Sequence, residues 1–303
     1  MRLANTDIRA LHVFQAIVEH GGFAGAEISL GITQSALSLH LKKLEERLGF
    51  TLCQRGRRGF QLTDRGAIVY RQARLILAEL DSFEESLSEL RRRVTGKLRI
   101  GLVDNTVSNY DFPISEAISA FLKKMPEAEI EVVVDIPEHL ETEVANNNLH
   151  LALGPIIYHR EGLQYRQFYV EKHSLYCGRR HPLFLHPDDE PKLSVLRQHP
   201  LVVRSYGGDE ELGIIKNALV GSRVSSMEAA AHLILSGSFI GFLPNHYARR
   251  WLQVGEMRNL SGSDLALHTG FFIITRTSRQ KQPLRDKFMQ ELVAILNRRL
   301  HEG

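Results

Sequence analysis

The chain has 303 residues, of which 43% are hydrophobic and 24% charged, and its formal net charge is +3. This length is enough for two or three compact units, each with its own core. No apolar run reaches about 18 residues and the N-terminus lacks the apolar core of a signal peptide, so we expect a cytoplasmic protein with no membrane span.

The charge is unevenly distributed along the chain. Residues 1–78 contain 11 Lys and Arg against 6 Asp and Glu, whereas the remaining 225 residues contain 27 against 29. A basic N-terminal part on a near-neutral body is typical of a nucleic-acid-binding domain attached to a domain with another task. It does not suit a protein that is coated with nucleic acid throughout.

The segment from Phe23 to Leu48 reads as two short helices that are broken at Gly31, with Thr33 as the N-cap of the second. In the second helix, four leucines recur at spacings of 4, 3 and 4, which predicts one buried stripe. These leucines are Leu37, Leu41, Leu44 and Leu48. The layout predicts a helix-turn-helix whose second helix lies in the major groove of DNA, although ordinary helix packing gives the same pattern.

The open face of the second helix carries the candidate DNA contacts. Gln34 lies in the first turn, where a recognition helix meets base edges, and Leu39 is suited to contact a thymine methyl group. Lys42 is expected to contact a phosphate. The full predicted set on this helix is Thr33, Gln34, Ser35, Ser38, Leu39 and Lys42.

Two short strand-like runs, residues 51–54 and 60–62, flank a basic, glycine-bearing turn after this helix. A small hairpin beside a recognition helix is typical of a winged helix. Its arginines can reach phosphates or the minor groove. They are Arg55, Arg57 and Arg58. The alternative interpretation of these three arginines is a solvated surface turn.

Residues 8–77 carry a set of markers that together resemble one family. The markers are Leu11, Phe14, Gly21–Gly22–Phe23, Ala26, Leu30, Thr33–Gln34, Ala36–Leu37–Ser38, Leu41, Leu44–Glu45, Leu48–Gly49, Leu52, Arg55, Leu62–Thr63 and Gly66. Through these markers the segment resembles the LysR-type transcriptional regulators. It departs from their usual pattern at Glu27, which replaces the second residue of a common Ala-Ala pair. It also departs at Leu39 and His40, which replace residues that are often Arg and Gln and which bear on base preference.

Thr63 is predicted to cap a long helix from about residue 67 to residue 94. Its apolar residues alternate spacings of 4 and 3 over three heptads, which is typical of a coiled-coil seam. They are Val69, Ala73, Ile76, Leu80, Phe83, Leu87, Leu90 and Val94. Because so long a stripe has no evident partner within the chain, we expect an intermolecular seam, with packing on its own domain as the alternative.

A two-fold dimer would place two recognition helices on a pseudo-palindromic site in double-stranded DNA. The resemblance implies the same dimer helix. It also implies a homotetramer, whereas the residues themselves indicate only a homodimer.

Strands and helices alternate beyond residue 96. Residues 97–153 predict a βαβαβ unit with a parallel sheet, and a second unit begins near Tyr169. A strand over 269–275 and a helix over 283–300 are expected to return to the first unit. The resemblance, clearest at residues 225–230 and 241–244, implies a two-lobed effector domain similar to periplasmic solute-binding proteins.

The predicted fold class is therefore α/β multidomain: an N-terminal winged helix-turn-helix, a long linker helix and a C-terminal two-lobed α/β effector domain. We expect the winged helix-turn-helix over 1–63, the linker and dimerisation helix over 64–95 and the effector-binding domain over 96–303. Within the last, lobe I is expected at about 97–167 and 269–303, and lobe II at about 168–268.

Ligands of open α/β sheets bind beyond the carboxyl ends of the strands. The candidate effector-binding residues are therefore those near predicted strand ends and a helix start: Asp104, Asn105, Thr106, Pro137, Gly154, Pro155, Arg204, Ser205, Tyr206 and Ser226. The helix N-terminus after Ser226, together with Arg204, is suited to hold a carboxylate. Asp104 argues against a purely anionic site, and pairing with Arg204 is an alternative role for it. Each residue singly is also what a turn or cap requires.

The cysteines and histidines form no metal-ligand spacing, and no metal or cofactor is expected. Cys177 precedes Arg179 and Arg180, whose charges could lower its pKa and make the thiol redox-active, but a small buried strand residue is the favoured interpretation. His181 and His186 flank a proline-bearing segment that we interpret as a surface loop.

The sequence predicts a sequence-specific, DNA-binding transcriptional regulator whose C-terminal domain senses an unknown small-molecule effector. The alternative is a ligand-independent DNA-binding repressor in which that domain serves oligomerisation only. We do not expect an enzyme, because the sequence contains no nucleophile elbow, P-loop, GxGxxG, HExxH or paired-carboxylate signature.

Overall fold

The computed structural model describes residues 5–56, 59–90, 96–185, 191–206, 210–261, 265–277 and 281–302. The chain divides into two compact units. Unit 1 comprises residues 1–88 and 146–148, and unit 2 comprises residues 89–145 and 149–303.

Unit 1 is a winged helix-turn-helix followed by a long helix. Its elements are α1 (Asn5–Glu19), α2 (Phe23–Leu30), α3 (Gln34–Leu48), β1 (Cys53–Gly56), β2 (Gly59–Leu62) and α4 (Asp64–Leu90). Strands β1 and β2 pair antiparallel and form the wing. Apolar residues from α1, α2, α3, the wing and α4 form one core, in which Phe14, Ile17, Leu37 and Leu52 are fully buried. The predicted winged helix-turn-helix is therefore confirmed.

Threonine hydroxyls cap the two helices for which the sequence predicted such caps. Thr33 Oγ1 accepts a hydrogen bond from the Ala36 N–H at 3.4 Å, at the start of α3. Thr63 Oγ1 accepts one from the Gly66 N–H at 2.9 Å, at the start of α4. Gly31 lies between α2 and α3 with φ of 65°, a left-handed conformation that glycine adopts without steric cost.

The apolar stripe of α4 divides between two environments. Ala73 is buried in the core of unit 1, and Val69 and Leu80 pack against that core. Ile76 and Phe83 are instead 39% and 53% exposed. The expectation that the stripe lacks a partner within the chain is therefore wrong for its first half, because the helix-turn-helix core supplies apolar surface. The stripe residues whose side chains lie outside the described residues are Leu87, Leu90 and Val94.

Unit 2 is built on a nine-stranded mixed sheet within the described residues. Its strands are β3 (Gly96–Leu102), β4 (Ala128–Val134), β5 (Leu151–Pro155), β6 (Leu163–Gly178), β7 (Leu201–Arg204), β8 (Val220–Val224), β9 (Ile240–Pro244), β10 (Met257–Asn259) and β11 (Ala266–Arg276). Its helices are α5 (Ile114–Lys124), α6 (Pro137–Ala145), α7 (Leu193–Leu196), α8 (Glu210–Ile214), α9 (Met227–Leu235), α10 (Asn245–Gln253) and α11 (Pro283–Glu302).

The strand order is β4-β3-β5-β11-β6-β9-β7-β8, and β10 pairs with β6. Strands β4, β3 and β5 are parallel, as are β9, β7 and β8, so each end of the sheet is a small parallel sheet. The long strands β6 and β11 pair antiparallel and connect the two ends. We call the β3–β5 side with α5, α6 and α11 lobe I, and the β7–β9 side with α9 and α10 lobe II.

The connecting strands are longer than the sequence predicted. The sequence predicts the second unit only from about Tyr169, whereas β6 begins at Leu163. The first half of β6 alternates exposed residues with partly buried ones, and only its last residues are continuously buried. A register irregularity between Phe271 and Phe272 interrupts the β6–β11 pairing near the predicted lobe boundary. Helix α8 ends at Ile214, and Asn217 just beyond it has φ of 60°.

Each lobe has its own apolar core. In lobe I, Leu98, Ile100 and Leu151 of the sheet pack with Phe121 of α5 and Phe288 of α11. Strand β11 pairs with β5, and α11 packs on the lobe I core, as the sequence led us to expect for the last strand and helix. In lobe II, helices α9 and α10 cover the other end of the sheet. None of the described helices is both long and apolar enough to cross a lipid bilayer.

Candidate functional site

The predicted DNA-contacting residues of α3 share one open face. Leu37, Leu41 and Leu44 are buried in unit 1, which turns the opposite side of the helix outward. Leu39 is 53% exposed and the Lys42 side chain 73%. Also exposed are Thr33, Gln34 and Ser35, whereas Ser38 is half-buried.

The wing brings one of the three predicted arginines into a described strand. The backbone of Arg55 lies in β1 and is paired with Phe60 of β2. The side chain of Arg55 and the whole of Arg57 and Arg58 lie outside the described residues. The hairpin packs on the same core as α3, whereas the contacts of its arginines stay predictions.

The sequence did not predict a hydrogen bond that joins α2 to the start of α3. The Gln34 amide Nε2 donates a hydrogen bond to Glu27 Oε2 at 2.7 Å, across the turn between α2 and α3. Ile28, the next residue on α2, is 86% exposed. The available signal was the departure at Glu27 from the Ala-Ala pair.

The second candidate site is a small cavity at the centre of unit 2, where β3, β5 and β7 end beside β6 and β11. It is about 10 Å³, roughly the room that one water molecule requires. Its lining residues are Val103, Asp104, Asn105, Pro155, Glu171, His173, Arg204, Tyr206, Met227, Thr269 and Phe271.

Half of the predicted effector-binding residues line this cavity. They are Asp104, Asn105, Pro155, Arg204 and Tyr206. The other five, which the structure places outside the lining, are Thr106, Pro137, Gly154, Ser205 and Ser226. Ser226 instead caps α9, since its Oγ accepts a hydrogen bond from the Ala229 N–H at 3.1 Å. Gly154 packs against Val103, where a Cβ would lie 2.8 Å from a methyl group.

The possible pairing of Asp104 with Arg204 is wrong. Asp104 Oδ2 accepts a hydrogen bond from the Met227 N–H at 2.6 Å, so the carboxylate of lobe I lies at the N-terminus of α9 in lobe II. Helix N-termini favour anions, which explains the choice of partner. Burial nevertheless raises the pKa of Asp104, against the hydrogen bond from Met227.

Arg204 is held by two glutamates of α8. Its Nε lies 2.5 Å from Glu211 Oε1, and its NH2 lies 3.0 Å from Glu210 Oε2. Both Arg204 and Glu211 are buried. The guanidinium is therefore already neutralised, although it lines the cavity.

The sequence also missed a buried carboxylate between two imidazoles. Glu171 Oε1 lies 2.8 Å from His246 Nε2, and Glu171 Oε2 lies 2.9 Å from His173 Nε2. His246 Nδ1 lies 2.9 Å from Ser108 Oγ, which makes a second connection between the lobes. Burial alone would raise the pKa of Glu171, but the two imidazoles outweigh it and hold this pKa at about 2.

These residues escaped prediction because they lie within β6 and at the start of α10, whereas the sequence argument considered only strand ends. The available signal was that Glu171 and His173 are polar residues two apart, and therefore on one face of a strand. The cavity lining therefore contains two carboxylates, Asp104 and Glu171, together with His173 and the already paired Arg204.

Cys177 and the histidines offer no further site. Burial raises the pKa of Cys177 to about 11, with Arg258 acting in the opposite direction, so the favoured interpretation of a small buried strand residue is confirmed and the alternative of a lowered pKa is wrong. A protonated buried thiol is a poor nucleophile, which removes the basis for a redox role. His186 lies outside the described residues, and within those residues no group of three or more His, Cys, Asp and Glu could hold a metal ion.

Comparisons with known proteins match both units. Residues 8–67 match the model of the bacterial regulatory helix-turn-helix protein, LysR family, and residues 91–296 match the LysR substrate-binding domain. The transcriptional activator BauR of Pseudomonas aeruginosa is 37% identical over 97% of this chain and 96% of its own length. The regulator CbbR of Rhizobium meliloti is 25% identical over 96% and 94%.

Among solved structures, full-length CbnR in complex with its target DNA is similar with a TM-score of 0.67. It is 20% identical and the match covers 95% of this chain and 99% of CbnR. At that identity the likeness concerns the fold. The family models and the identity to BauR carry the assignment: the chain belongs to the LysR family of transcriptional regulators, with a DNA-binding helix-turn-helix domain and an effector-binding domain.

Proposed function

We propose that α3 reads bases and that the wing fixes the protein on the DNA backbone. Gln34, Ser35, Ser38 and Leu39 are assigned to base edges, because they lie on the open face of α3. Residues assigned to phosphates or the minor groove are Thr33, Lys42, Arg55, Arg57 and Arg58. The division into 1–63, 64–95 and 96–303, with lobe II over about 168–268, is part of the same proposal.

Selection from random-sequence DNA with the full chain tests these roles. Gln34→Ala should relax base choice at particular positions, because a base contact is lost. Arg57→Ala should weaken binding to all sequences alike and reduce its salt dependence, because a phosphate contact is lost. If the two variants change binding in the same way, the assignment is wrong.

For the effector, the observation that carries our proposal is the excess of carboxylates at the cavity. Asp104 and Glu171 line the cavity, whereas the arginine of the lining, Arg204, is already paired with Glu211 outside it. We propose an effector with an ammonium or guanidinium group that lies between Asp104 and Glu171. The structurally similar LysG of Corynebacterium glutamicum was solved with the effector Arg bound, so this fold can accept a cationic ligand.

The cavity in its described form is too small for an organic effector, since ligand pockets usually measure about 300–1,000 Å³. We therefore propose that binding separates the lobes at the Asp104–Met227 hydrogen bond, with β6 and β11 as the flexible connection. The ligand can shift this equilibrium only by its difference in affinity for the two arrangements. An amine that binds the Asp104 carboxylate in place of the Met227 N–H of α9 provides such a difference in affinity.

Thermal melting of the full chain with a panel of amines, amino acids and carboxylic acids tests this proposal. We expect a stabilising compound to carry an amine, and Asp104→Asn, which keeps the acceptor oxygen but removes the charge, to lose the shift. Asp135→Asn, near the end of β4 but outside the lining, should keep it. Stabilisation by carboxylic acids alone would contradict the ligand class. Absence of any shift would favour the alternative of a ligand-independent repressor.

We further propose a homodimer through the exposed part of α4, with Ile76 and Phe83 as contacts between copies, on a pseudo-palindromic site. The homotetramer implied by the resemblance stays a prediction. We infer that the effector domain binds its ligand without catalysis, which accords with relatives that are transcriptional regulators.

A further inference from the structure

The turn between α2 and α3 joins two side chains on the surface that we assign to DNA. Glu27 lies in α2 and Gln34 is the first residue of α3, and Glu27 Oε2 accepts a hydrogen bond from Gln34 Nε2 at 2.7 Å. The backbone between them is fixed by Gly31 in the left-handed conformation and by the Thr33 cap. The geometry of this turn therefore holds Glu27 and Gln34 within hydrogen-bonding distance of each other.

Within the described part of the chain, Gln34 is the side-chain partner of Glu27, and no lysine or arginine forms an ion pair with this carboxylate. An ionised carboxylate can only accept hydrogen bonds. The amide nitrogen of Gln34 must therefore face Glu27, and its carbonyl oxygen Oε1 must face away. Without Glu27, the two ends of the amide could exchange places freely.

We propose that Glu27 is a positioning residue that sets the base preference of the chain. By fixing the amide, it makes Gln34 present a hydrogen-bond acceptor to the major groove. The preferred base at that position then carries an amino group, which means adenine or cytosine. This inference rests on the proposed role of Gln34 as a base reader.

The pattern of groups in the major groove gives the reason. Adenine N6 and cytosine N4 donate there, whereas guanine presents N7 and O6 and thymine presents O4, all of which are acceptors. The second hydrogen of Gln34 Nε2 is still available for adenine N7. The negative charge of Glu27 adds repulsion toward the acceptor edges of guanine and thymine. The common alanine of the LysR pattern has neither the charge nor the hydrogen bond.

Selection from random-sequence DNA with the full chain tests this proposal, and Gln34→Ala identifies the dependent base position. The wild type should prefer adenine or cytosine there by about tenfold over guanine and thymine. Glu27→Ala should reduce that preference to about twofold or less, while affinity for the best site changes little. Glu27→Gln should relax it similarly, because a neutral amide tolerates both orientations of Gln34.

Glu19→Ala is the matched control, because Glu19 accepts an equivalent hydrogen bond from Gln15 Nε2 at 2.8 Å on α1. It should leave base preference unchanged. A wild-type preference for guanine or thymine at the dependent position, or an unchanged preference in Glu27→Ala, would overturn the role of Glu27. If Gln34→Ala changes no position at all, Gln34 is not a base reader, and both this inference and that part of the proposed function fail.

Discussion

At the scale of single residues, His181 is buried in a setting that tolerates only its neutral form. Its Nδ1 accepts a hydrogen bond from the Leu183 N–H at 3.2 Å, and its ring lies 4.6 Å from that of His199. Burial, with a smaller contribution from His199, lowers the pKa of His181 from 6.5 to about 4. A proton on Nδ1 would remove the hydrogen bond.

The direction of the pH effect follows from this pKa. In the unfolded chain His181 binds a proton near pH 6.5, but in the folded chain it does so only near pH 4. Its contribution to stability is therefore complete above pH 6.5 and is lost as the pH falls toward 4. We expect a loss on the order of 2 kcal/mol in the free energy of unfolding.

Urea unfolding between pH 7.5 and 4.5 measures this dependence. It should be weaker in His181→Asn than in the wild type, while His139→Asn, at an exposed site on α6, should behave as the wild type. An identical pH dependence in His181→Asn and the wild type would contradict the account.

The backbone just before the wing packs closely against α4 at Gly66. A Cβ on Gly66 would lie 1.8 Å from the carbonyl oxygen of Leu52, which is backbone and cannot move aside easily. Gly66→Ala should therefore lower the free energy of unfolding of unit 1 by about 3 kcal/mol or more, seen as a lower melting temperature and loss of DNA binding. Gly213→Ala, where nothing lies within 4 Å, should be neutral. Equal melting temperatures for Gly66→Ala and the wild type would show that the backbone around Gly66 and Leu52 can move apart.

Substitutions in the exposed and in the buried part of the α4 stripe should have different effects, the first on dimerisation and the second on folding. Phe83→Asp removes apolar surface that is 53% exposed, so the dimer should weaken while unit 1 keeps its melting temperature. Ala73→Asp, at a buried position in the core, should instead unfold unit 1. Sedimentation at several concentrations, alongside melting curves, measures both effects. A Phe83→Asp variant that remains dimeric would place the interface elsewhere.

Sequence reasoning succeeded where spacing alone determines structure. The leucines of α3 and the threonine caps are local patterns, and each predicts its own element without knowledge of the rest of the chain. The α4 stripe shows the limit, because spacing indicates that Ala73 and Phe83 are apolar contacts but not what each one contacts. Strand β6 shows another limit of sequence reasoning. Its first half alternates exposed residues with partly buried ones, so the apolar pattern indicates a shorter strand than the structure contains.

At the scale of the whole effector domain, strand-end reasoning found the part of the cavity that the ends of β3, β5 and β7 supply, including Asp104 and Arg204. It could not find Glu171, which lines the cavity from the middle of a connecting strand, or His246, which contacts Glu171 from a helix start. The alternative in which Asp104 pairs with Arg204 is wrong. Pairing depends on which groups the fold brings within about 3 Å, and that is a long-range property.

We propose that the charged cavity of the effector domain controls how the chain binds DNA. The most direct measurement is titration of the selected DNA with the full chain, with and without an amine that raises its melting temperature, recording affinity and DNA bend. We expect affinity to change by about 5- to 150-fold, or the bend to change, in the wild type and in Asp135→Asn but not in Asp104→Asn. Unchanged affinity and bend in the wild type would contradict the claim.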